Sequence, residues 1–292
     1  MGLSMAAVWT AATARALDLA GSLVSIGTLS YVGGISLVLA IEVAVLGYAK
    51  SSVYRLLHPT RSTWTDILWF ALRVLGLNGI ILSILSLGTT TVVARLAERY
   101  LGFHVLLRVE NPIGRFVLYV VAVDFLEYWV HRARHQIGWW WEFHKAHHSA
   151  EEFNAITTTR GHPFDGVAMA ITTAVPIAVL GGSMLESIPV LTLFAAHAGL
   201  THSMLPWRWG WFGRYVVFPP TGHRIHHSAL PEHMDKNFGA IMPIWDWIFG
   251  TYYDGEVLNE AVGVDDNYQN RNGLRFDLAE SMRRAVRAAR RS

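Results

Sequence analysis

The chain has 292 residues, of which 52% are hydrophobic and only 16% charged, with a mean hydropathy of +0.29. Soluble domains carry about a quarter charged residues, so this balance points to lipid contact and away from an ordinary soluble globule. The net charge of +2 gives no reason to expect a nucleic-acid partner, and the absence of cysteine excludes disulfides, zinc–thiolate sites and iron–sulfur clusters.

A membrane-spanning helix needs about 20 mostly apolar residues. Residues 3–29 read as an amphipathic helix or a weak extra span, and the start of the chain lacks the basic segment and cleavage site of a signal peptide. Stronger candidate spans follow at 31–49, 66–93, 113–130, 164–182 and 184–200. The second is long enough to tilt or kink near Gly76 and Gly79. The last two are separated only by Gly182 and Ser183 and form a tight helical hairpin or a re-entrant pair. The expected architecture is an all-α integral membrane protein of about four to five transmembrane helices with a helical cap. Residues 1–112 form an N-terminal membrane region, 113–255 the catalytic region, and 256–292 a basic tail.

Orientation follows from the loops. Lys50, Arg55 and Arg61 follow the first span, and Arg132, Arg134, Lys145 and Arg160 lie between the third and fourth. Arg283, Arg284, Arg287, Arg290 and Arg291 crowd the C-terminus. With alternating spans these regions share one side, which the positive-inside rule makes cytoplasmic and next to anionic lipid. Arg95, Arg99 and Arg108 fall on the other side and weaken the asymmetry.

The chemistry is carried by the 14 histidines. His131-Arg-Ala-Arg-His135 is an HxxxH motif. His144-Lys-Ala-His147-His148 and His223-Arg-Ile-His226-His227 are HxxHH motifs, and His197 and His202 lie between them. Spacings of three and four place side chains on one helical face, about 5–6 Å apart, which suits ligands for one metal or for two adjacent metals. Adjacent histidines diverge by about 100° and so can serve different ions. Ten imidazoles suffice for two five-coordinate ions, more than the three that a catalytic zinc needs. All the motifs fall on the predicted cytoplasmic side. Imidazole suits zinc, copper, iron and nickel, and no HExxH protease motif is present. Neutral ligands leave two metals with high positive charge, which favours O2 activation. His58, His104 and His233 lie outside the motifs and are expected to be structural or solvent-facing.

At these residues the chain resembles the fatty acid hydroxylase/sterol desaturase superfamily. The resemblance runs from about 124 to 253. It includes Trp141-Glu-Phe-His-Lys-Ala-His-His-Ser149, Arg160-Gly-His-Pro-Phe-Asp165, the His223 motif, Asp235-Lys-Asn-Phe-Gly239 and Trp245-Asp-Trp-Ile-Phe-Gly-Thr251. It implies a non-haem centre of two iron ions, O2 as co-substrate, an external electron donor and a lipid substrate: a fatty acyl chain, a sterol, a carotenoid or an ether lipid. It implies ligand roles for His131, His135, His144, His147, His148, His223, His226 and His227. The spacing of His197 and His202 is imperfect for one helical face, so one of them is expected to stand behind the ligands. Zinc, which outranks Fe(II) in the usual affinity order, is expected to replace iron in overexpressed protein.

Other residues carry paired readings. His162 is a further ligand or a loop cap before Pro163. Asp124 and Glu127 share a face with His131 and are expected to accept from imidazole N–H groups, or to form ion pairs with Arg132 or Arg134. Asp235 and Asn237 hydrogen-bond ligand imidazoles or make a turn. Glu42, alone in the first span, has no assigned partner. The aromatic runs Trp139–Trp141 and Trp207–Phe212 anchor at an interface. No GxGxxG or GxxxxGK[ST] motif occurs, so reducing equivalents must come from a partner, a ferredoxin or a cytochrome with its reductase. Lys145, Arg224 and the basic tail are candidate docking cations.

The expected activity is hydroxylation of a lipid C–H bond. Desaturation is close behind, because both begin with hydrogen abstraction. A His-rich metal transporter and a zinc hydrolase are rivals, but transporter histidines would line a path at mid-membrane depth.

Overall fold

The computed structural model describes residues 26–77, 89–255, 261–264 and 273–291. Among them every regular element is helical, and the one β pairing is an isolated bridge between Ser228 and Val262. Four helices precede the His motifs: α1 (Ile26–Leu46), α2 (Ser52–Leu57), α3 (Arg61–Val74) and α4 (Thr89–Leu101). Four longer or motif-bearing helices follow: α5 (Pro112–Gln136), α6 (Gly138–His148), α7 (Pro163–Leu180) and α8 (Met184–Thr201). The chain closes with α9 (Gly210–Tyr215), α10 (Pro220–His226), α11 (Ile244–Ile248) and α12 (Leu274–Ala289).

Local sequence explains the boundaries. Asn111 caps α5, accepting from the amides of Ile113 and Gly114 at 2.9 and 3.2 Å, with Pro112 at the first helical position. The turn between α7 and α8 combines two devices. Gly181 adopts φ 74°, and the Gly182 amide reaches back to the Ile177 carbonyl at 2.9 Å. Ser183 and Glu186 then form a capping box that starts α8. The expected hairpin is therefore built by a left-handed glycine and a serine cap, each contributing about 1 kcal/mol or less.

α7 packs against α4 and α5, α8 against α1, and α6 against both α5 and α12. Tyr119, Val120 and Val123 of α5 meet Ile177 of α7, Val190 of α8 and Ile241 in the main core. A second cluster joins Tyr31 and Ile35 of α1 to Ile156. Many large apolar residues face outward, including Leu37, Val117, Met169 and Leu185. Among the described residues, Pro163–Leu180 alone is long and apolar enough to cross a membrane, while Tyr31–Leu46 and Leu185–Thr201 are apolar but shorter.

The expected span over 66–93 is not one described helix. α3 stops at Val74, Gly76 takes φ 70°, and α4 begins at Thr89. The anticipated kink near Gly76 is thus a helix end, because a positive φ cannot continue a right-handed helix. Gly79 and nearly all of 3–29 lie outside the described residues. Within the stretch read as a basic tail, α12 lies along α6, the helix that bears His144, His147 and His148.

Candidate metal centre

The histidines gather into two adjoining groups. His131, His135, His144, His148 and His226 form one, and His147, His202, His223 and His227 the other; within each, one nitrogen per ring lies within 4.8 Å of all the rest. The two HxxHH motifs are dealt out in complementary fashion. The i, i+4 pair His144/His148 enters the first group and His147 the second, whereas His223/His227 enters the second and His226 the first. Helical geometry forces this division, since adjacent residues point about 100° apart while i and i+4 coincide. The groups meet where the rings of His148 and His227 stack at 4.2 Å.

Hydrogen bonds behind the rings fix which nitrogen faces inward. Nδ1 of His131, His147, His202 and His226 donates to the carbonyls of Phe238, Arg160, Ala198 and Lys236 at 2.9, 2.9, 2.7 and 2.7 Å. A carbonyl only accepts, so each of these Nδ1 atoms carries the proton and, in a neutral ring, leaves a bare lone pair on Nε2. In the first group, Nε2 of His135, His144, His148 and His226 is buried without a hydrogen-bond partner. In the second, Nε2 of His202 stands 3.3 Å from Nε2 of His147 and 3.2 Å from that of His223, which is 3.1 Å from Nε2 of His227. For His147 and His202 this sets two lone pairs face to face.

Burial keeps these rings neutral. It pushes His147 and His226 down to about 4, and it carries His144, His148, His223 and His227 well below the usual histidine range, helped by neighbouring imidazoles. Orphaned buried acceptors cost about 1–3 kcal/mol each, and facing lone pairs repel. A cation in each group removes both penalties, so the residues fit two metal ions held by neutral imidazoles. No carboxylate joins either group among the described residues.

The surroundings correct several expectations from sequence. Asp124 bonds no imidazole. It accepts from the amides of Ile241 and Met242 and from Trp245 Nε1, at 2.7, 3.0 and 2.9 Å. Asp246 likewise accepts from the Phe238 and Gly239 amides at 2.8 Å. These carboxylates pin the loop whose Lys236 and Phe238 carbonyls hold His226 and His131, so they act one layer further out than the helical face alone indicates. Glu127 takes its other reading, an ion pair with Arg134 at 2.9 Å. The carboxylate that does hold an imidazole is Asp165, which accepts from His144 Nδ1 at 2.8 Å and from Trp140 Nε1 at 3.1 Å. Its only sequence signal was its place in the Arg160–Asp165 motif.

His197 joins neither group; its Nε2 faces the Phe218 carbonyl at 3.0 Å. His162 caps α7 through Nδ1, and its Nε2 reaches the Leu278 carbonyl at 3.3 Å. Asp235 is exposed and stays 3.8 Å from His135 Nδ1, beyond hydrogen-bond reach. Asn237 bonds the Gly222 carbonyl and the Tyr253 amide. Both take left-handed φ values, 56° and 59°, as the turn reading requires. Glu42 is buried and accepts from the backbone amides of Ser52, at 2.7 Å, and Met204. Lys145 and Arg224 are buried against Glu142 and against the Ser203 and Leu205 carbonyls, so neither is a surface docking cation. His233, outside the motifs, takes the structural one of its two readings, fully buried with its ring against Tyr253. Trp141 is no mere interface anchor, since its ring lies 4.8 Å from that of His135. Phe153 stacks on His202 at 5.0 Å and Phe238 meets His135 edge-on at 5.2 Å, giving the groups apolar walls that no spacing rule foretold.

Comparison with known proteins bears on this arrangement. The fatty acid hydroxylase family matches residues 116–251, which contain both groups. An alkylglycerol monooxygenase of Caenorhabditis elegans is 32% identical over 132 residues, 44% of this chain and 25% of that protein. The human alkylglycerol monooxygenase is 30% identical over 149 residues, 49% of this chain and 31% of that protein. An ornithine lipid hydroxylase of Rhizobium tropici is 29% identical over 164 residues, 56% of this chain and 49% of that protein. The chain thus spans between about a quarter and a half of the length of these relatives. No solved structure matches it. The family expected from the histidine motifs is thus matched over residues 116–251, the part of the chain that carries both groups, and the relatives that resemble it there include lipid monooxygenases and hydroxylases.

Proposed function

We propose that this protein is a multi-pass membrane monooxygenase that hydroxylates a C–H bond of a membrane lipid at a centre of two iron ions, using O2. The observation that carries the reading is the inward convergence of nine imidazoles, eight of which have an Nε2 atom that meets no partner or only another imidazole Nε2. Bound iron would supply O2 activation and hydrogen abstraction. The chain's own residues do the rest. Carbonyls 160, 198, 236 and 238 and the Asp165 carboxylate fix ring orientation and tautomer. Phe153, Phe238 and Trp141 exclude water beside the rings. Electrons come from an external ferredoxin or cytochrome with its reductase. Hydroxylation is favoured over desaturation because the relatives' names are those of a monooxygenase and a lipid hydroxylase.

Beside the apolar α7, the length of α5 supports a placement of the histidines at one edge of the membrane. At about 1.5 Å per residue its 25 residues reach about 37 Å, so with Ile113 at one edge of the roughly 30 Å hydrocarbon layer His131 lies about 27 Å along, near the far edge, and His135 about 33 Å along, just beyond it. The basic residues flanking the motifs make that side cytoplasmic. The test is metal analysis of purified protein beside O2- and reductant-dependent lipid product. About two ions per chain and a product gaining one oxygen atom are expected. One ion in a fully loaded sample, or turnover without O2, overturns the reading.

A further inference from the structure

α12 bears two features that the metal centre does not use. Its buried face, Asp277, Ser281 and Ala285, packs toward α6 and α3. On the opposite face Ala279, Met282, Val286 and Ala289 recur at i, i+3, i+7 and i+10, and all four are exposed, Met282 by 43% and Val286 by 44%. Arg283, Arg287 and Arg290 flank this stripe, with Arg275 at its N-terminal end. Beside it, a groove of about 500 Å³ opens between α12 and the start of α3, lined by Arg61, Arg275, Phe276, Ala279, Glu280 and Arg283. Among the described residues the groove is lined by three guanidiniums and one carboxylate, and Glu280 pairs with Arg283 at 2.7 Å and Arg284 at 3.1 Å. The surface continues onto α3, where Trp64 and Leu68 follow Arg61 on the same exposed face.

An apolar stripe edged by arginine and continuous with exposed tryptophan matches the headgroup boundary of a bilayer, into which such a helix sinks about 5–10 Å. Guanidinium forks match phosphate oxygens bidentately. We propose that α12 is an interfacial helix and that the groove between it and α3 binds the phosphodiester headgroup of an anionic phospholipid. The occupant is the membrane surface, selected by charge, since zwitterionic lipid offers the same chains without net charge. The inference rests on the reading of the chain as membrane-embedded. Because α12 also packs on α6, lipid bound there braces the helix that carries three of the metal-site histidines.

The chain contains no cysteine, so single reporters are clean. Met282→Cys and, as a reference on α7, Met169→Cys are labelled with bimane in the full-length protein reconstituted in phosphatidylcholine bilayers. Quenching is measured with phosphatidylglycerol or phosphatidylcholine carrying a nitroxide high on the acyl chain. We expect the label at 282 to be quenched by both lipids, at least twofold more by phosphatidylglycerol at equal mole fraction. The combined change Arg61→Gln, Arg275→Gln and Arg283→Gln should equalise the two. The label at 169 should be quenched equally by both throughout. Quenching at 169 without quenching at 282 overturns the interfacial helix, and equal quenching at 282 in the unsubstituted protein overturns the headgroup site. Absence of quenching at both positions instead defeats the membrane reading beneath it. Val286→Cys repeats the measurement on the same stripe should Met282→Cys fold poorly.

Discussion

The carbonyl of Arg160 accepts from Nδ1 of His147 at 2.9 Å. The guanidinium of the same residue is fully buried, 3.2 Å from Asp66 and 3.9 Å from Asp277. Asp66 comes from α3 and also accepts from Asn154 and Thr157, while Asp277 comes from α12 and accepts from Trp69 Nε1 at 3.1 Å. Three distant pieces of chain therefore hold one carbonyl against one imidazole. Asp66→Ala leaves a buried guanidinium half-paired, which costs about 3–5 kcal/mol. It should also weaken metal binding in the four-histidine group by about 10–100-fold, the usual effect of losing an outer support. Melting temperature and metal titration read the two effects separately. Undiminished affinity in a folded Asp66→Ala protein would show that Arg160 does not orient His147.

Asp165 supports a single imidazole in the other group, so its loss should be selective. Asp165→Ala removes the acceptor for His144 Nδ1 and frees that ring to turn, with an expected loss of about 10–100-fold in metal affinity. Asp165→Asn keeps a carbonyl oxygen at the same place and should recover most of it. Asp124→Asn, which touches backbone amides rather than imidazole, should lower thermal stability more than metal affinity. Equal metal loss in Asp165→Ala and Asp165→Asn would favour charge over geometry as the role of that carboxylate.

Much of this was legible in the sequence, and the parts that were not share a cause. The HxxHH spacing is a local, helical rule, so the division of His147 from His148 could be anticipated from angles alone. The αα-hairpin at Gly181–Ser183 was likewise written in adjacent residues. Asp124 and Glu127 share a helical face with His131, but that face says nothing of what a loop 117 residues after Asp124 presents to it. In the event that loop's amides claimed Asp124, and Arg134, three residues after His131, claimed Glu127. The supports of His131, His147 and His226 are backbone carbonyls, which every residue possesses and no motif advertises. The return of α12 onto α6 was equally invisible, because Asp277 and Arg160 are more than a hundred residues apart.

The pH dependence follows from the neutral rings. His147 and His226 lie near 4 in the folded chain, against about 6.5 when unfolded. Between those values the unfolded chain binds more protons than the folded one, so the stability of metal-free protein rises with pH and is lost as pH falls from about 6.5 toward 4. Each such histidine contributes up to about 1.4 kcal/mol per pH unit in that window. Protons also compete with metal for Nε2, so metal should be released over the same range. Thermal melts of chelator-treated protein from pH 7.5 to 4.5 should show a falling midpoint below about 6.5. A flat profile would mean that the rings are already protonated or exposed.

His197 and His202 provide the sharpest comparison, because they lie on one helix and its cap yet do different things. They are five positions apart, which at about 100° per residue leaves them some 140° from one another, too far to share a face. The structure turns His202 toward Nε2 of His147 and His223, at 3.3 and 3.2 Å, and turns His197 toward the Phe218 carbonyl at 3.0 Å. His202→Ala should therefore cost the protein close to one of its two metal ions, with little loss of fold, since Nδ1 of His202 bonds only its own helix. His197→Ala should keep both ions and lose about 1–3 kcal/mol of stability, because it orphans a buried carbonyl. His197→Gln, which can still donate to that carbonyl, should restore part of that loss. Metal content per chain, measured beside the melting temperature, separates the two roles. Two ions in His202→Ala together with one in His197→Ala would exchange the assignments and require the second group to be rebuilt around α8 in a different rotation.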